Sequence, residues 1–492
     1  MAKIARLVAV DVGQTTGDFW VKVIDYDGTV LLEKRGNNGD SFDLPSAPSH
    51  EGLVFQEWSA SCPITDGKVV IDNNNIMAGA VYTTASGQNE FDITLTKVTG
   101  LAVTLNMDGT KDWGDGTSDT NTTHTYTAYG DYTIKCNGTT MTTSTNTGIF
   151  GSSNSYVTFV RLATVTTISA YAFYKSFSLL DIVLTGTTNI GNYAFYYCKA
   201  LRNIFITRGV TSIGAHIFEN CYSLTNVVIP NGVLSIGASA FLNCYALTNT
   251  VIPNGVTTLS GTLFKECYAL KNIVIPEGVT VISGSLFYEC YSLKHVSIPE
   301  SVTSIGAYAF YSCGSLENVI IPKAVTNIGK FAFYGCGSLI DIYIPATITG
   351  AIGNNTFYNC YSLENINIPK GITSIDSNAF YGCSSLKDIF IPEGVTTIGT
   401  YGFYFCKSLR SIVFSNGLTD IKGDAFHDCG SLVKLDFSKC TLVPTVSSQN
   451  VFTGITSICK IIVPDSLYDE WIAATNWSTY AKYIYKASEV TV

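Results

Sequence analysis

The stretch VTSIGAYAFYSCGSLENVIIPKAV, residues 302–325, carries one thiol, Cys313, three residues after Phe310. A cysteine among aromatics is chemically open: a nucleophile, a metal ligand, half of a disulfide or a small core residue. Its surroundings decide between these. The phenylalanine recurs as Phe173, Phe195, Phe218, Phe241, Phe264, Phe287, Phe310, Phe333, Phe357, Phe380, Phe403 and Phe426, at intervals of 22, 23 and once 24 residues. A cysteine follows three residues after every one except Phe173: Cys198, Cys221, Cys244, Cys267, Cys290, Cys313, Cys336, Cys360, Cys383, Cys406 and Cys429, eleven of the fifteen in the chain. Leucine comes three residues later, as in Leu224, Leu247 and Leu316, and then an IxIP segment ending at prolines such as Pro230, Pro322 and Pro392.

Self-similarity at such a period is the mark of an array in which each unit buries its apolar face only against its neighbours. A residue that returns at the same place in every coil stacks on its own copies. Eleven stacked cysteines therefore read as a structural ladder of small apolar groups rather than as nucleophiles. An odd total of cysteines and the arbitrary pairing of equivalent coils argue against disulfides. The close CxxC or CxxH spacing that tetrahedral zinc needs is absent.

The unit L-x-x-I-x-I-P-x-x-V-x-x-I-x-x-x-A-F-x-x-C-x-S predicts a short strand over LxxIxI, ended by proline, which donates no ladder hydrogen bond. VTSIG predicts a second extended segment and AFxxC a short helical or 3₁₀ turn that buries Phe and Cys. Here the chain resembles the BspA-like branch of the leucine-rich repeats over about residues 165–463. That resemblance implies a curved solenoid with a parallel sheet on one face. Exposed ends of such an array need caps. The tail 464–492, with Leu467, Trp471, Trp477, Tyr480 and Ile484 at helix-like spacing, is read as a helical cap, and Phe452 as a degenerate last repeat.

Before residue 150 the period fades. Residues 19–60 alternate like strands around a YDGT turn and end in LPSAPSHEGLVFQEWS, which resembles an internalin-type B-repeat, a β-grasp-like module placed over 19–85. Residues 86–150 contain DWGDGTSDTNTTHTYTAYGDYTIKC, with Trp113, Gly114, Asp115, Gly116, His124, Tyr126, Gly130 and Tyr132 in the positions of a PKD-type immunoglobulin-like module. The resemblance implies a small β-sandwich that spaces or stiffens a surface protein. Residues 1–18 are an N-terminal segment, and 151–164 a linker and solenoid entry. The fold class expected is thus mainly β: small N-terminal β modules, a repeat solenoid with short helical turns, and a C-terminal cap.

The opening AVDVGQTTGDFW superficially resembles the phosphate-binding start of sugar kinases, but the second phosphate loop and adenosine-binding half of that family have no place among β modules and repeats. Asp112, Asp115 and Asp119 weigh as a calcium loop against ordinary Asp-Gly turn chemistry, and the turn is favoured. His50, His124, His216, His295 and His427 are scattered, so no catalytic constellation, metal site or cofactor is expected.

Composition narrows the partners. Hydrophobic residues make up 46%, charged residues only 14%, and the net charge is −9. No basic stripe exists to grip nucleic acid, and no apolar run reaches the length of a membrane span. Neither a leader nor an anchor is apparent, which favours a chain made in a cytosol, where its thiols stay reduced.

The sheet face is the informative surface. Its first outward row includes Asn203, Asn226, Asn249, Asn272, His295, Asn318, Asp341, Asn365 and Asp388, and its second the apolar and aromatic Phe205, Tyr343 and Phe390. Contiguous exposed apolar residues usually mark a partner. One residue after each ladder phenylalanine runs a rival row: Tyr174, Tyr196, Tyr288, Tyr311, Tyr334, Tyr358, Tyr381 and Tyr404. The function expected is non-catalytic recognition or adhesion. The favoured setting is the surface of a phage virion, as a tail fibre or receptor-binding protein contacting a host-surface protein or glycan. There the N-terminal modules join other virion proteins or copies of the chain. A bacterial cell-surface adhesin and an intracellular protein-binding scaffold are the alternatives.

Overall fold

A computed structural model of the chain describes residues 19–490, apart from 25–29, 38, 50–52, 61–63, 71–75, 85–90, 99–101, 142, 144–147, 152–154, 163–164 and 185. The YDGT turn, the kinase-like opening, His50 and Cys62 lie outside the described residues. The architecture is mainly β, with stacked coils about 23 residues long and a few short helices near the C-terminus. The described residues fall into two compact units, those up to 236 with 249–256, and 237–248 with those from 257 on.

In the first unit, strands Phe19–Ile24, Val30–Gly36, Leu53–Ala60 and Ile76–Thr84 form a mixed four-stranded sheet in which Phe19–Ile24 runs parallel to Ile76–Thr84. A second sheet of nine strands begins at Ser118–Asp119 and ends at Asn249–Thr250. Its middle is the informative part. Phe91–Val98 pairs antiparallel with Val157–Leu162, which in turn pairs parallel with Asp181–Leu184, the first of the repeat strands. The segment expected as a linker therefore carries a strand, and the sheet passes from the WGDG-bearing region into the coils without a break.

The core ladder also starts earlier than the sequence pattern suggests. Phe150, buried and 23 residues before Phe173, packs on it with ring centroids 5.8 Å apart. From there the rings stack nearly parallel, Phe173 on Phe195 at 5.1 Å and Phe195 on Phe218 at 5.5 Å.

The second unit repeats the scheme. Strands such as Asn272–Val274, His295–Ser297, Asn318–Val319, Asp341–Ile342 and Asn365–Ile366 form one parallel sheet. Val281–Ile282, Ser304–Ile305 and Asn327–Ile328 form another, so the VTSIG segment is extended as expected. Gly306 closes this second turn, because a Cβ there would lie 2.5 Å from the backbone nitrogen of Gly284 in the preceding coil.

The AFxxC segment forms turns closed by 3₁₀-type bonds, such as Cys313 amide to Phe310 carbonyl at 3.1 Å, and not a continuous helix. Each coil places two residues, four apart, in the left-handed region: Tyr308 and Ser312, Asn355 and Asn359, Tyr401 and Phe405. Two left-handed residues so close break any helix. They leave alternate amides free to bond the next coil: Tyr308 to Lys330 at 3.2 Å, Phe310 to Ala332 at 2.8 Å and Ser312 to Tyr334 at 2.6 Å. The turn side is thereby a second hydrogen-bonded ladder. The single 24-residue interval, Phe333 to Phe357, is absorbed where the register between the strands Gly350–Ile352 and Ile372–Ile375 shifts, at Gly350, which has φ +88°.

The C-terminal cap is present but is not one helix. Tyr468–Ala473 is α-helical, Ser478–Tyr483 is a 3₁₀ turn, and Ile484–Lys486 adds a parallel strand to Lys460–Val463. Ala474, in extended backbone, ends the helix, and Asn476, at φ +67°, donates to the Val446 carbonyl. Trp471, Trp477, Tyr480 and Ile484 are buried, whereas Leu467 is only half-buried. Trp477 closes the ladder by packing 5.4 Å from Phe452, with its indole NH on the Pro444 carbonyl. The amide of Lys486, on the outermost strand, is taken by the Glu489 carboxylate, which blunts that edge.

Candidate functional site

The cysteines come first, because they pose the question of chemistry. All eleven of the ladder are fully buried free thiols. Each is more than an apolar filler. Cys313 donates through sulfur to the Phe287 carbonyl one coil earlier at 3.1 Å, and Cys336 to Phe310, Cys360 to Phe333 and Cys383 to Phe357 do the same at 3.2 Å. Burial pushes these thiols well above their ordinary range, the opposite of what a nucleophile needs.

The acidic turn is equally committed. Asp115 accepts from the Thr117 hydroxyl at 2.6 Å and holds His124 at 2.7 Å, and these bonds keep its carboxyl below the usual range. Asp119 accepts from the Trp113 indole at 3.1 Å and from Asn121, with the same effect on its carboxyl. Asp112 accepts from the Gly114 amide. Trp113 and Tyr126 are buried beneath, the tyrosine hydroxyl donating to the Trp113 carbonyl. The carboxylates serve the turn. Among the described residues no group of three or more His, Cys, Asp or Glu is placed to hold a metal.

The outward sheet face separates into two parts. In the first unit it is covered. Strand Ile76–Thr84 lies over the strands Asp181–Leu184, Asn203–Phe205 and Asn226–Val228. The Asn231 amide donates to the Ala60 carbonyl at 3.1 Å, and the Arg208 guanidinium to the Trp58 carbonyl. Asn203, Phe205 and Asn226, expected as outward binding residues, are consequently buried, as are Val228 and Val251. Asn226 donates to Asn203 at 3.1 Å, so part of the expected amide row is a buried structural pair. The apolar character of this half is explained by the chain's own N-terminal sheet. Asn249 and Asn272 are half-buried.

In the second unit the face is open. His295, Asn318, Asp341, Asn365 and Asp388 are exposed. In the second row Ile320 and Tyr343 are each 59% exposed and Phe390 is 44% exposed. Lys294 pairs with Glu317 at 3.0 Å and Lys387 with Glu364, so these two lysines of the neighbouring row are held by partners, while Lys271 and Arg410 of that row are exposed.

The tyrosine row differs in kind. Tyr288, Tyr311, Tyr334, Tyr358, Tyr381 and Tyr404 stack face to face at 4.5–5.0 Å, and the column ends on His427. Their faces cover one another and the rings are half-buried. A ligand meets only ring edges there, whereas Tyr343 and Phe390 offer faces. Sequence periodicity locates both rows but does not distinguish them, because the register of neighbouring rings is a property of the turn backbone.

The described helices include none long and apolar enough to cross a membrane. A family profile described as the BspA type leucine rich repeat region matches residues 137–248, 166–291, 257–387 and 350–469. No curated protein matches the chain. Among solved structures, a leucine-rich repeat protein from Bacteroides ovatus is 25% identical with a TM-score of 0.54, the match covering 70% of this chain and 97% of that one. A leucine rich cell surface protein from Faecalibacterium prausnitzii is 26% identical with a TM-score of 0.34, over 61% of this chain and 94% of its own. The pneumococcal vaccine antigen PcpA is 18% identical with a TM-score of 0.42, over 68% and 80%. The coils, their phenylalanine and cysteine ladders and the profile that spans them show that this chain belongs to the BspA-type leucine-rich-repeat family.

Proposed function

We propose that the chain is a non-catalytic recognition or adhesion protein that meets its partner through the open sheet face of the second unit. One observation carries the reading: the same outward row that is buried under the N-terminal sheet at Phe205 and Val228 stands exposed at Ile320, Tyr343 and Phe390. Large apolar and aromatic side chains left uncovered along one face are the usual mark of a docking face. The B-repeat-like residues 19–85 and PKD-like residues 86–150 are, in this proposal, a cover and a cap for the coils. The setting proposed is the outside of a phage virion assembled in a reducing cytoplasm, which suits fourteen free thiols among the described residues. A bacterial surface is the alternative setting, and the cell-surface relative supports it.

The test pairs two double variants of the full chain. Tyr343→Ala with Phe390→Ala reduces attachment to the target cell or partner at least tenfold and leaves the melting temperature within about 2 °C. Tyr311→Ala with Tyr334→Ala opens the tyrosine column and lowers stability but leaves attachment intact. The opposite pattern makes the tyrosine column the functional face. Immunogold labelling of purified phage particles, against labelling of bacterial cells, decides the setting.

A further inference from the structure

Tyr343 and Phe390 stand two coils apart on the open face, and neither contacts another ring among the described residues. The coil between them contributes Asn367 at the equivalent position. Its amide accepts from the Ile344 nitrogen and donates to the Ile344 oxygen, both at 2.7 Å, and it is only half-exposed. The amide stands in for a strand partner and is drawn onto the sheet. What remains is a notch one coil wide, walled by two aromatics about 10 Å apart, which is two strand spacings.

The rim of the notch is acidic. Asp341 and Asp388 are exposed and form no ion pair among the described residues, while Asn365 donates to Asp341 at 2.8 Å. Lys294 and Lys387 are already paired with Glu317 and Glu364, and Arg410 belongs to the coil after Phe390, outside the notch. The uncompensated charge at the notch is therefore negative.

We propose that this notch receives a cationic side chain, arginine or lysine, presented by a protein partner. The inference rests on the reading of the open face as the docking face and names the chemistry that it selects. Width decides. A cation is attracted to a ring within about 6 Å of its centroid, and one seated midway lies about 5 Å from both walls. Walls one coil apart close on each other, as Tyr334 and Tyr358 do at 4.6 Å. Walls three coils apart leave a central cation out of reach of both. A neutral sugar fits between the rings but leaves the rim charge uncompensated, and an anionic one is repelled.

The full chain is titrated at low salt with a Gly/Ser peptide carrying three arginines, with the same peptide carrying citrulline, and with a neutral β-linked hexasaccharide. The arginine peptide binds at least tenfold more tightly than the citrulline peptide. Asp341→Asn with Asp388→Asn, and separately Tyr343→Ala with Phe390→Ala, each weaken it at least fivefold. Glu277→Gln with Glu300→Gln, the same change of charge at exposed positions outside the notch, leaves it within twofold. Equal binding of the two peptides, an equal loss in the Glu277/Glu300 variant, or hexasaccharide binding that ignores the carboxylates overturns the proposal. If the arginine peptide fails while the Tyr343/Phe390 variant still loses attachment, the docking face stands and the cation falls. If that variant attaches normally, the docking face itself falls.

Discussion

The thiol of Cys313 donates to the carbonyl oxygen of Phe287, and the same oxygen accepts the Cys290 amide at 3.1 Å. One acceptor thus serves two successive coils, and the cysteine is a coil-to-coil tie as well as a piece of core. Cys313→Ser keeps a donor near that oxygen on a shorter arm, and we expect it to cost only about 1 kcal/mol in chemical denaturation. Cys313→Val, which loses the donor and adds bulk to a fully packed site, should cost about 2 kcal/mol or more. Equal costs would show that the sulfur's hydrogen bond contributes nothing.

Alkaline pH should unfold the protein steeply. Burial raises the ladder thiols well above their ordinary value near 9, and pushes Cys440 to about 11 and Cys459 to about 12. Tyr358 in the stacked column is raised to about 12 by partial burial and its ring neighbours. The unfolded chain releases these protons from about pH 9 and the folded chain only above, so the unfolded state then binds fewer protons. Stability is fully present below pH 9 and falls as pH rises through the folded values. Urea midpoints between pH 7 and 11 check this, and a flat profile would exclude buried neutral thiols. At pH 8, a thiol reagent should leave the ladder unlabelled until denaturant is added.

Trp477→Ala should unfasten the C-terminal end. The ring is fully buried between Phe437 and Phe452, and its NH is bonded to Pro444. Removal of such a side chain costs about 3–5 kcal/mol. Hydrogen exchange should accelerate first in the strands Ser411–Phe414, Lys434–Asp436 and Lys460–Val463, and least in the coils around Phe310. Uniform acceleration would mean that the coils unfold as one block.

A fragment starting at residue 156 should associate with itself. It lacks Phe91–Val98, the antiparallel partner of Val157–Leu162, and Phe150, the first ring of the ladder. An unpaired strand edge beside an uncovered apolar end invites pairing with another chain. Light scattering should show oligomers for 156–492 and monomer for 19–492, which keeps both that strand and the N-terminal sheet over the coils. A monomeric 156–492 would make the strand Phe91–Val98 dispensable.

The repeats, the two strands of each coil and the buried cysteines were legible because one spacing returns a dozen times, and stacking makes equivalent positions alike. Phe150 escaped notice because no cysteine follows it and its neighbours are Gly, Ser and Thr, which read as a connector. The left-handed turns escaped because tyrosine, asparagine, serine, glutamate and aspartate all occupy those positions, and few glycines mark them. The burial of Asn203, Phe205 and Asn226 depends on a strand more than a hundred residues away, which no local pattern encodes. The row itself was visible; its two fates were not.

The register shift at Gly350 has a further consequence. A Cβ at Gly350 would meet nothing within 4 Å, and the added residue leaves Phe333, Phe357 and Phe380 stacked at 5.6 and 5.4 Å. Coil length is therefore not a fixed quantity of this array: a surplus residue is taken up at one irregularity of the strand ladder, and the registers before and after it stay in phase. The same register shift is then a natural point for lengthening, and a short foreign peptide grafted between Gly350 and Ala351 would hang from the stack as a pendant segment while the coils on either side keep their alignment.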